Sequence, residues 1–354
     1  MVKLLIVDDS ALMRRQLTQV FASAGGFEVR QARNGLEAVE QNREFQPDVV
    51  TLDINMPEMD GLTALSLIMA ERPVPVVMVS SLTERGAIAT FEALNLGAVD
   101  YIAKPEGTIS LSMESVREAL ISKVRGAAGA KLRRKRATPG ELSAPEIRAV
   151  GVPRQDPGRR GVAGGGVVVV GVSTGGPRTL EEILPKLPAD FPWPVLIAQH
   201  MPAAFTKSFA DRMNDHCAVE VLEANHPMAV EPGKVYIGRG GADLVVARRA
   251  GKLFALPKPE SSQFLWHPSV ELLGLTVLEH CDPTKVIAVM LTGMGSDGSV
   301  AFAEIRRRGG RTVAESEQSA VVFGMPAELI RLGGATLVLP AESIATQIML
   351  WAGS

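Results

Sequence analysis

The run Val167-Val168-Val169-Val170, followed at once by Gly171-Val172-Ser173-Thr174-Gly175-Gly176, constrains this chain more than any other segment. Four consecutive valines read as a strand buried on both faces, which calls for a parallel sheet covered by helices on each side. The glycines after it let the chain turn sharply into a helix. A G-x-S-x-G turn in that setting lifts the serine oxygen clear of the backbone at the carboxyl edge of the sheet. The N–H groups of the helix start then lie where an oxyanion could form. A phosphate-binding or tightly packed turn would leave the same pattern, so the partners of Ser173 have to decide.

At 354 residues and 46% hydrophobic, the chain is long enough for two cores. A formal net charge of −2 gives no overall attraction to nucleic acid or an anionic membrane. Two cysteines, Cys217 and Cys281, make no disulfide framework and fit a reducing cytoplasm. No apolar stretch approaches the roughly 18 residues of a membrane span, and the opening MVKLLIV runs into a strand pattern with no cleavable signal. The expectation is a soluble cytoplasmic protein without membrane insertion.

Residues 1–124 alternate short apolar runs with helical patterns: Leu4–Val7, Val49–Leu52, Val76–Val79 and Asp100–Ala103 are each followed by a helix, the last from about Leu111. That alternation predicts a parallel sheet with helices on both faces and ligands at the carboxyl ends of the strands. Polar residues fall at those ends: Asp8 and Asp9, Asp53, Ser80 and Ser81, and Lys104. Three carboxylates converging from two strands repel one another unless a hard cation sits among them, and Mg²⁺ is the natural partner. Helix capping would explain any one of these residues alone, but poorly explains all of them at successive strand ends.

The segments Val7-Asp8-Asp9-Ser10, Leu52-Asp53-Ile54-Asn55-Met56-Pro57-Glu58-Met59-Asp60-Gly61, Val79-Ser80-Ser81 and Lys104-Pro105 resemble a response-regulator receiver domain, of flavodoxin-like fold, across this whole first domain. The resemblance implies that Asp53 is the phosphoacceptor and that Asp8, Asp9, Asp53 and the Asn55 carbonyl hold Mg²⁺. It implies that Ser80, Tyr101 and Lys104 are the switch residues, and that the Lys104–Pro105 bond is cis.

Over residues 125–165 the periodicity dissolves into the basic run Lys131–Arg136, scattered prolines and Gly164-Gly165-Gly166, which predicts a tether. Residues 166–354 alternate again, with strands expected at Val167–Val170, Val195–Ala198, Lys234–Ile237, Leu244–Ala247, Lys252–Ala255, Val286–Met290, Arg311–Ala314 and Thr336–Leu339. The fold class is therefore α/β throughout, with a second, doubly wound and mostly parallel domain in which Lys252–Ala255 belongs to a hairpin.

Two of these strands end in chemistry. His200 follows one apolar run, and Asp297 sits in the glycine-rich turn Thr292-Gly293-Met294-Gly295-Ser296-Asp297-Gly298 after another. Ser173, His200 and Asp297 would gather on one sheet edge, as a nucleophile, a base and an orienting carboxylate require. A turn or N-cap role remains open for Asp297. His216, His226, His267 and His280 lack this strand-end context, although His267 is placed to line a cleft. No Gly-Lys-Ser/Thr follows the elbow, no zinc-ligand spacing surrounds His216-Cys217 or His280-Cys281, and no helix-turn-helix pattern follows the first domain.

Gly171–Gly176, Gln199-His200-Met201-Pro202, Pro268-Ser269-Val270 and Leu291–Gly298 resemble the catalytic domain of the chemotaxis protein-glutamate methylesterases, the CheB family. The resemblance implies hydrolysis of glutamate γ-methyl esters, and deamidation of glutamines, on methyl-accepting chemotaxis receptors. It makes Ser173 the nucleophile, His200 the general base and acid, Asp297 the orienting carboxylate, and the backbone of Thr174 and Met294 the oxyanion hole. It also implies a chemotaxis histidine kinase as phosphodonor, a receiver that covers the active-site entrance until phosphorylated, no cofactor for the esterase chemistry and no nucleic-acid partner. A receiver-gated binding protein whose serine site does not turn over is the competing reading.

Overall fold

The computed structural model describes residues 1–80, 84–104, 109–130, 132 and 165–353, and the chain divides into two units between Arg133 and Arg134. The first unit runs β1 (Val2–Val7), α1 (Ala11–Ala24), β2 (Phe27–Ala32), α2 (Gly35–Phe45), β3 (Val49–Asp53), α3 (Gly61–Glu71), β4 (Val76–Ser80), α4 (Glu84–Leu96), β5 (Asp100–Ala103) and α5 (Ile109–Ala128). Its five strands are parallel in the order β2-β1-β3-β4-β5. The chain steps to one side of β1 for β2 and to the other for β3. Asp8 and Asp53 therefore follow or end the two strands that flank the crevice where ligands of open α/β sheets bind.

Two elements of this unit were not legible. β2 is an edge strand whose Glu28, Arg30 and Gln31 are exposed, so its apolar signal rests on half-buried Phe27 and Val29. α2 is opened by Asn34, whose side chain accepts from the Glu37 N–H. The expected boundary at residue 124 also shifts. α5 continues to Ala128 because Val124 and Ala127 extend its buried face, and Arg125 donates to the carbonyls of Ala24 and Gly25 at the end of α1. The basic run from Lys131 and the Lys104–Pro105 bond lie outside the described residues, Leu132 and Lys104 apart.

The second unit runs β6 (Val167–Val172), α6 (Gly176–Ile183), β7 (Val195–Gln199), α7 (Ala203–His216), β8 (Glu220–Ala224), β9 (Met228–Ala229), β10 (Lys234–Gly238), β11 (Asp243–Arg249) and β12 (Lys252–Lys258). It continues with α8 (Val270–His280), β13 (Val286–Met290), α9 (Ser299–Arg307), β14 (Arg311–Glu315), α10 (Met325–Arg331), β15 (Leu337–Leu339) and α11 (Ala341–Ala352). Seven strands form a parallel sheet in the order β15-β14-β13-β6-β7-β10-β8. β11 and β12 form the expected hairpin, closed by Ala250 and Gly251 with φ of 47° and 78°, and β9 joins it antiparallel. β8 and β9 were not anticipated; β8 is a sheet edge with an exposed Glu220 and β9 spans only two residues.

α8 and α9 cover one face of the large sheet through Val270, Leu273, Val277, Phe302 and Ile305, packed on Val169, Leu196, Ala288 and Met290. The approach of α8 is very close. A Cβ on Gly171 of β6 would stand 2.3 Å from Val270 Cγ1, and one on Gly298 would stand 2.2 Å from the same atom. Two glycines thus let the first residue of α8 press against both the end of β6 and the turn that carries Asp297. All three tryptophans lie in this unit, at 193, 266 and 351. Phe302→Ala, which empties a fully buried ring position, should cost about 3–5 kcal/mol. Tryptophan fluorescence during denaturant unfolding of the full chain would read that loss in the second unit alone.

Candidate active site

β13, β6 and β7 are neighbours at the middle of the large sheet, and the strand order reverses between β6 and β13. Ser173 follows the last residue of β6, His200 follows the last residue of β7, and Asp297 lies in the loop from β13 to α9. The sheet ladder continues into the site. Ser173 N–H donates to the Thr292 carbonyl at 2.9 Å and His200 N–H to the Val172 carbonyl at 3.1 Å.

The three side chains meet. Ser173 Oγ lies 3.0 Å from His200 Nδ1, and His200 Nε2 lies 2.8 Å from Asp297 Oδ2. Ionised Asp297 only accepts, so Nε2 carries the ring proton and Nδ1 of the neutral imidazole is the acceptor for the serine hydroxyl. Ser173 and His200 are 6% and 4% exposed, sheltered from competing water but not sealed.

Asp297 sits at the N-terminus of α8, where backbone N–H groups and the helix dipole favour an anion. Its Oδ1 accepts from Glu271 N–H at 3.0 Å and from Ser269 Oγ at 3.1 Å, and its Oδ2 accepts from Val270 N–H at 2.7 Å. Burial pushes this carboxyl up. The hydrogen bond and charge of His200, with the N–H groups of Val270 and Glu271, outweigh burial and hold it below its ordinary value. Glu271 returns the arrangement, accepting from Ala301 N–H at 3.1 Å at the start of α9. Burial first, and the Asp297 charge after the Ala301 bond, leave the Glu271 carboxyl raised.

The nucleophile turn is held equally closely. Gly175 has φ +80°, and a Cβ on Gly176 would stand 2.0 Å from Gln199 Oε1. Gln199 Nε2 donates to the carbonyls of both Ser173 and His200, at 3.0 and 3.1 Å. Thr292 links β13 to the turn, its Oγ1 donating to the Thr174 carbonyl at 2.9 Å and its N–H to buried Glu315 at 2.8 Å. A Cβ on Gly293 would stand 2.8 Å from Ser173 Cβ, which seats the loop carrying Met294 against the serine.

Several of these residues were not recognised from sequence. Gln199, Ser269 and Thr292 were visible only as parts of motifs, while Asp243, Glu271 and Glu315 gave no functional signal. Trp266 stacks on His200 with ring centroids 4.9 Å apart and planes 13° from parallel. His267 is held by Asp243 at 3.0 Å, and His216 and His226 bond locally at the surface away from the triad.

In the first unit, one oxygen from each of Asp8, Asp9 and Asp53 lies within 4.8 Å of the others, and Lys104 Nζ stands 2.9 Å from Asp8 and 2.8 Å from Asp53. Burial, aided by the Asp8 charge, raises the Asp53 carboxyl despite the opposing Lys104 bond and charge and the Asn55 N–H. Three hard oxygen donors with one cation among them suit a divalent ion such as Mg²⁺. Ser80 is fully buried and its Oγ donates to the Gly86 carbonyl of α4 at 3.2 Å. Tyr101 is also buried, with Lys123 Nζ 5.1 Å above its ring and 3.0 Å from its carbonyl.

A serine, histidine and aspartate in hydrogen-bonded series at the switch point of a doubly wound sheet is the arrangement of a serine hydrolase. Comparison with known proteins gives the family. The CheB methylesterase family model matches residues 168–348 and the response regulator receiver domain model residues 4–114. A protein-glutamate methylesterase/protein-glutamine glutaminase of Rhodospirillum rubrum is 53% identical, the match covering 99% of this chain and 96% of that one. A protein of the same description from Rhodopseudomonas palustris is 52% identical over 99% and 98%. The crystal structure of the Thermotoga maritima CheB methylesterase catalytic domain superposes with a TM-score of 0.51 at 40% identity, covering 53% of this chain and 98% of that one. The chain belongs to the CheB methylesterase family and carries a receiver domain ahead of the catalytic one.

Because the folded Asp297 carboxyl lies below its ordinary value, its contribution to stability is present above the unfolded carboxylate range and is lost as pH falls through the folded value. Asp297→Asn should therefore be less stable than the parent near neutral pH, with the gap narrowing below about pH 4. Thermal unfolding across that range checks the sign.

Proposed function

We propose that Ser173 is the nucleophile, His200 the general base and acid, and Asp297 the orienting carboxylate in hydrolysis of glutamate γ-methyl esters on methyl-accepting chemotaxis receptors. The observation that carries this reading is the unbroken series Ser173 Oγ, His200 Nδ1, His200 Nε2 and Asp297 Oδ2, at 3.0 and 2.8 Å. Ser173 Oγ attacks the γ-carbonyl carbon as its proton passes to His200 Nδ1. The oxyanion is met by the backbone N–H groups of Thr174 and Met294, on the two segments that flank the serine. Collapse breaks the bond to the methoxy oxygen, which takes the proton from Nδ1 and leaves as methanol. A water then gives its proton to Nδ1 and attacks the acyl-serine ester, and as that intermediate collapses Nδ1 returns the proton to Ser173 Oγ, releasing the glutamate carboxyl and restoring Ser173. The same cycle with an ammonia leaving group deamidates glutamine.

Asp53 is the phosphoacceptor for a chemotaxis histidine kinase, in a cytoplasmic pathway that adjusts receptor methylation. Asp8, Asp9, Asp53 and the Asn55 carbonyl would hold Mg²⁺, which when bound supplies positive charge to the incoming phosphoryl oxygens. Lys104 pairs with the phosphorylated aspartate, whose phosphoryl group carries about −1.5 to −2 charges in place of the single charge of the carboxylate it caps. Ser80 and Tyr101 respond to that charge by repacking. A tenfold to hundredfold activation needs only about 1.4–2.7 kcal/mol of bias between two arrangements.

Ser173→Ala should lose methanol release from methylated receptor by several orders of magnitude while keeping the parent's unfolding midpoint. Full-rate release by this variant would overturn the assignment. Asp53→Ala should keep basal turnover and lose all stimulation by a small-molecule phosphodonor with Mg²⁺. The same methanol assay, with and without the donor, reads that difference.

A further inference from the structure

The loop between β12 and α8 contacts the triad at two points, through Trp266 stacked on His200 and Ser269 bonded to Asp297. One buried carboxylate holds it there. Asp243, fully buried at the start of β11, accepts from Ser269 N–H at 2.9 Å, from the His267 ring at 3.0 Å and from Ser261 N–H at 3.2 Å. Removing a buried carboxylate's partners is costly, so these donors fix the loop and with it the indole. The indole lies flat against His200 at a separation suited to offset stacking; it is half-buried, and the neighbouring Leu265 is exposed.

We propose that Trp266 is a positioning residue of the hydrolytic reaction, holding the His200 ring in the plane that serves both Ser173 and Asp297 and favouring the imidazolium formed when the serine proton arrives. The proposal rests on the reading of Ser173, His200 and Asp297 given above. An aromatic face attracts a cation held within about 6 Å, and Trp is the strongest of the aromatic partners. The charge appears on His200 only as the tetrahedral intermediate forms, so the attraction is larger in the transition state than in the ground state. The groups that bear on His200 charge are Asp297 at Nε2, Glu271 behind Asp297, and His267 paired with Asp243 beside the indole. Ser173 faces Nδ1 and carries no charge in the resting state.

Trp266→Leu keeps an apolar side chain and removes the π face, whereas Trp266→Phe keeps a smaller one. In the full-length protein on methylated receptor, kcat should fall about tenfold in Trp266→Leu, and less in Trp266→Phe, with KM changed far less than kcat. Loss of imidazolium stabilisation makes protonation of the base less favourable, so the acid limb of kcat/KM should move to lower pH by up to about one unit. An NMR titration of the His200 ring in a Ser173→Ala background should move the same way. An acid limb that stays in place or moves to higher pH, or a kcat at the parent value in Trp266→Leu, overturns the proposal. Ser173→Ala measured alongside separates the two readings. If it is inactive while Trp266→Leu behaves as the parent, only the role of Trp266 fails.

Discussion

The catalytic unit is organised around a negative charge that has been taken out of water. A buried carboxylate is tolerated only where donors replace its hydration. Asp297 obtains them from the start of α8: two backbone N–H groups, the Ser269 hydroxyl that also caps that helix, and the His200 ring. The position of α8 is therefore a condition of the site. Gly171 and Gly298, both intolerant of a Cβ beside Val270, let the helix come close enough to supply those donors. Packing and electrostatics are one requirement here. A side chain at either glycine would displace the N–H groups that keep Asp297 ionised.

The acidic pocket of the first unit follows the opposite logic. Its Asp53 is at least as buried as the triad members, yet its carboxyl is raised where that of Asp297 is lowered. Asp297 is bound by several neutral donors and one histidine. Asp53 faces a second carboxylate, Asp8, with Lys104 as the cation shared between them. A carboxylate whose burial is only partly offset by its neighbours, with a second carboxylate beside it, gives a site reason to take up a divalent cation and then a phosphoryl group. A carboxylate already satisfied, like Asp297, orients a neighbour instead. The two aspartates thus differ in role because they differ in the donors that their strand ends bring.

Most of this was legible because chemistry in parallel α/β sheets collects at strand ends. The runs ending at Val7, Leu52, Val170, Ala198 and Met290 were identified from continuous apolar residues, and the residues after them are those that meet in space. The order of the strands was not legible, since β13 sits beside β6 although more than a hundred residues separate them in sequence. The edges were missed for a related reason: β2 and β8 are half-solvated, so polar residues interrupt the apolar signal. The supporting shell left least trace of all. Asp243 and Glu315 act on loops distant in sequence, and a lone acid at the end or start of a strand looks like any other charged residue. Trp266 gave no signal of its own, because its stacking on His200 depends on a hairpin and a loop whose path no local pattern gives.

The orientation of the imidazole follows from that strand order. His200 follows β7, Ser173 follows the adjacent β6, and Asp297 comes from the loop after β13, one strand further on. Neighbouring strands lie about 4.8 Å apart, so β13 stands roughly 10 Å from β7 and β6 only half that, and the loop after β13 carries Asp297 back toward the far end of the histidine ring. Nδ1 is the ring nitrogen nearer the backbone and Nε2 the farther. The near nitrogen meets the near partner and the far nitrogen the far one, as the 3.0 Å contact of Nδ1 with Ser173 and the 2.8 Å contact of Nε2 with Asp297 record. In the chymotrypsin arrangement these roles are exchanged, with Nε2 toward the serine and Nδ1 toward the carboxylate. The chemistry requires only that one nitrogen donate to a carboxylate while the other accepts from the nucleophile. Which nitrogen does which is settled by the sheet.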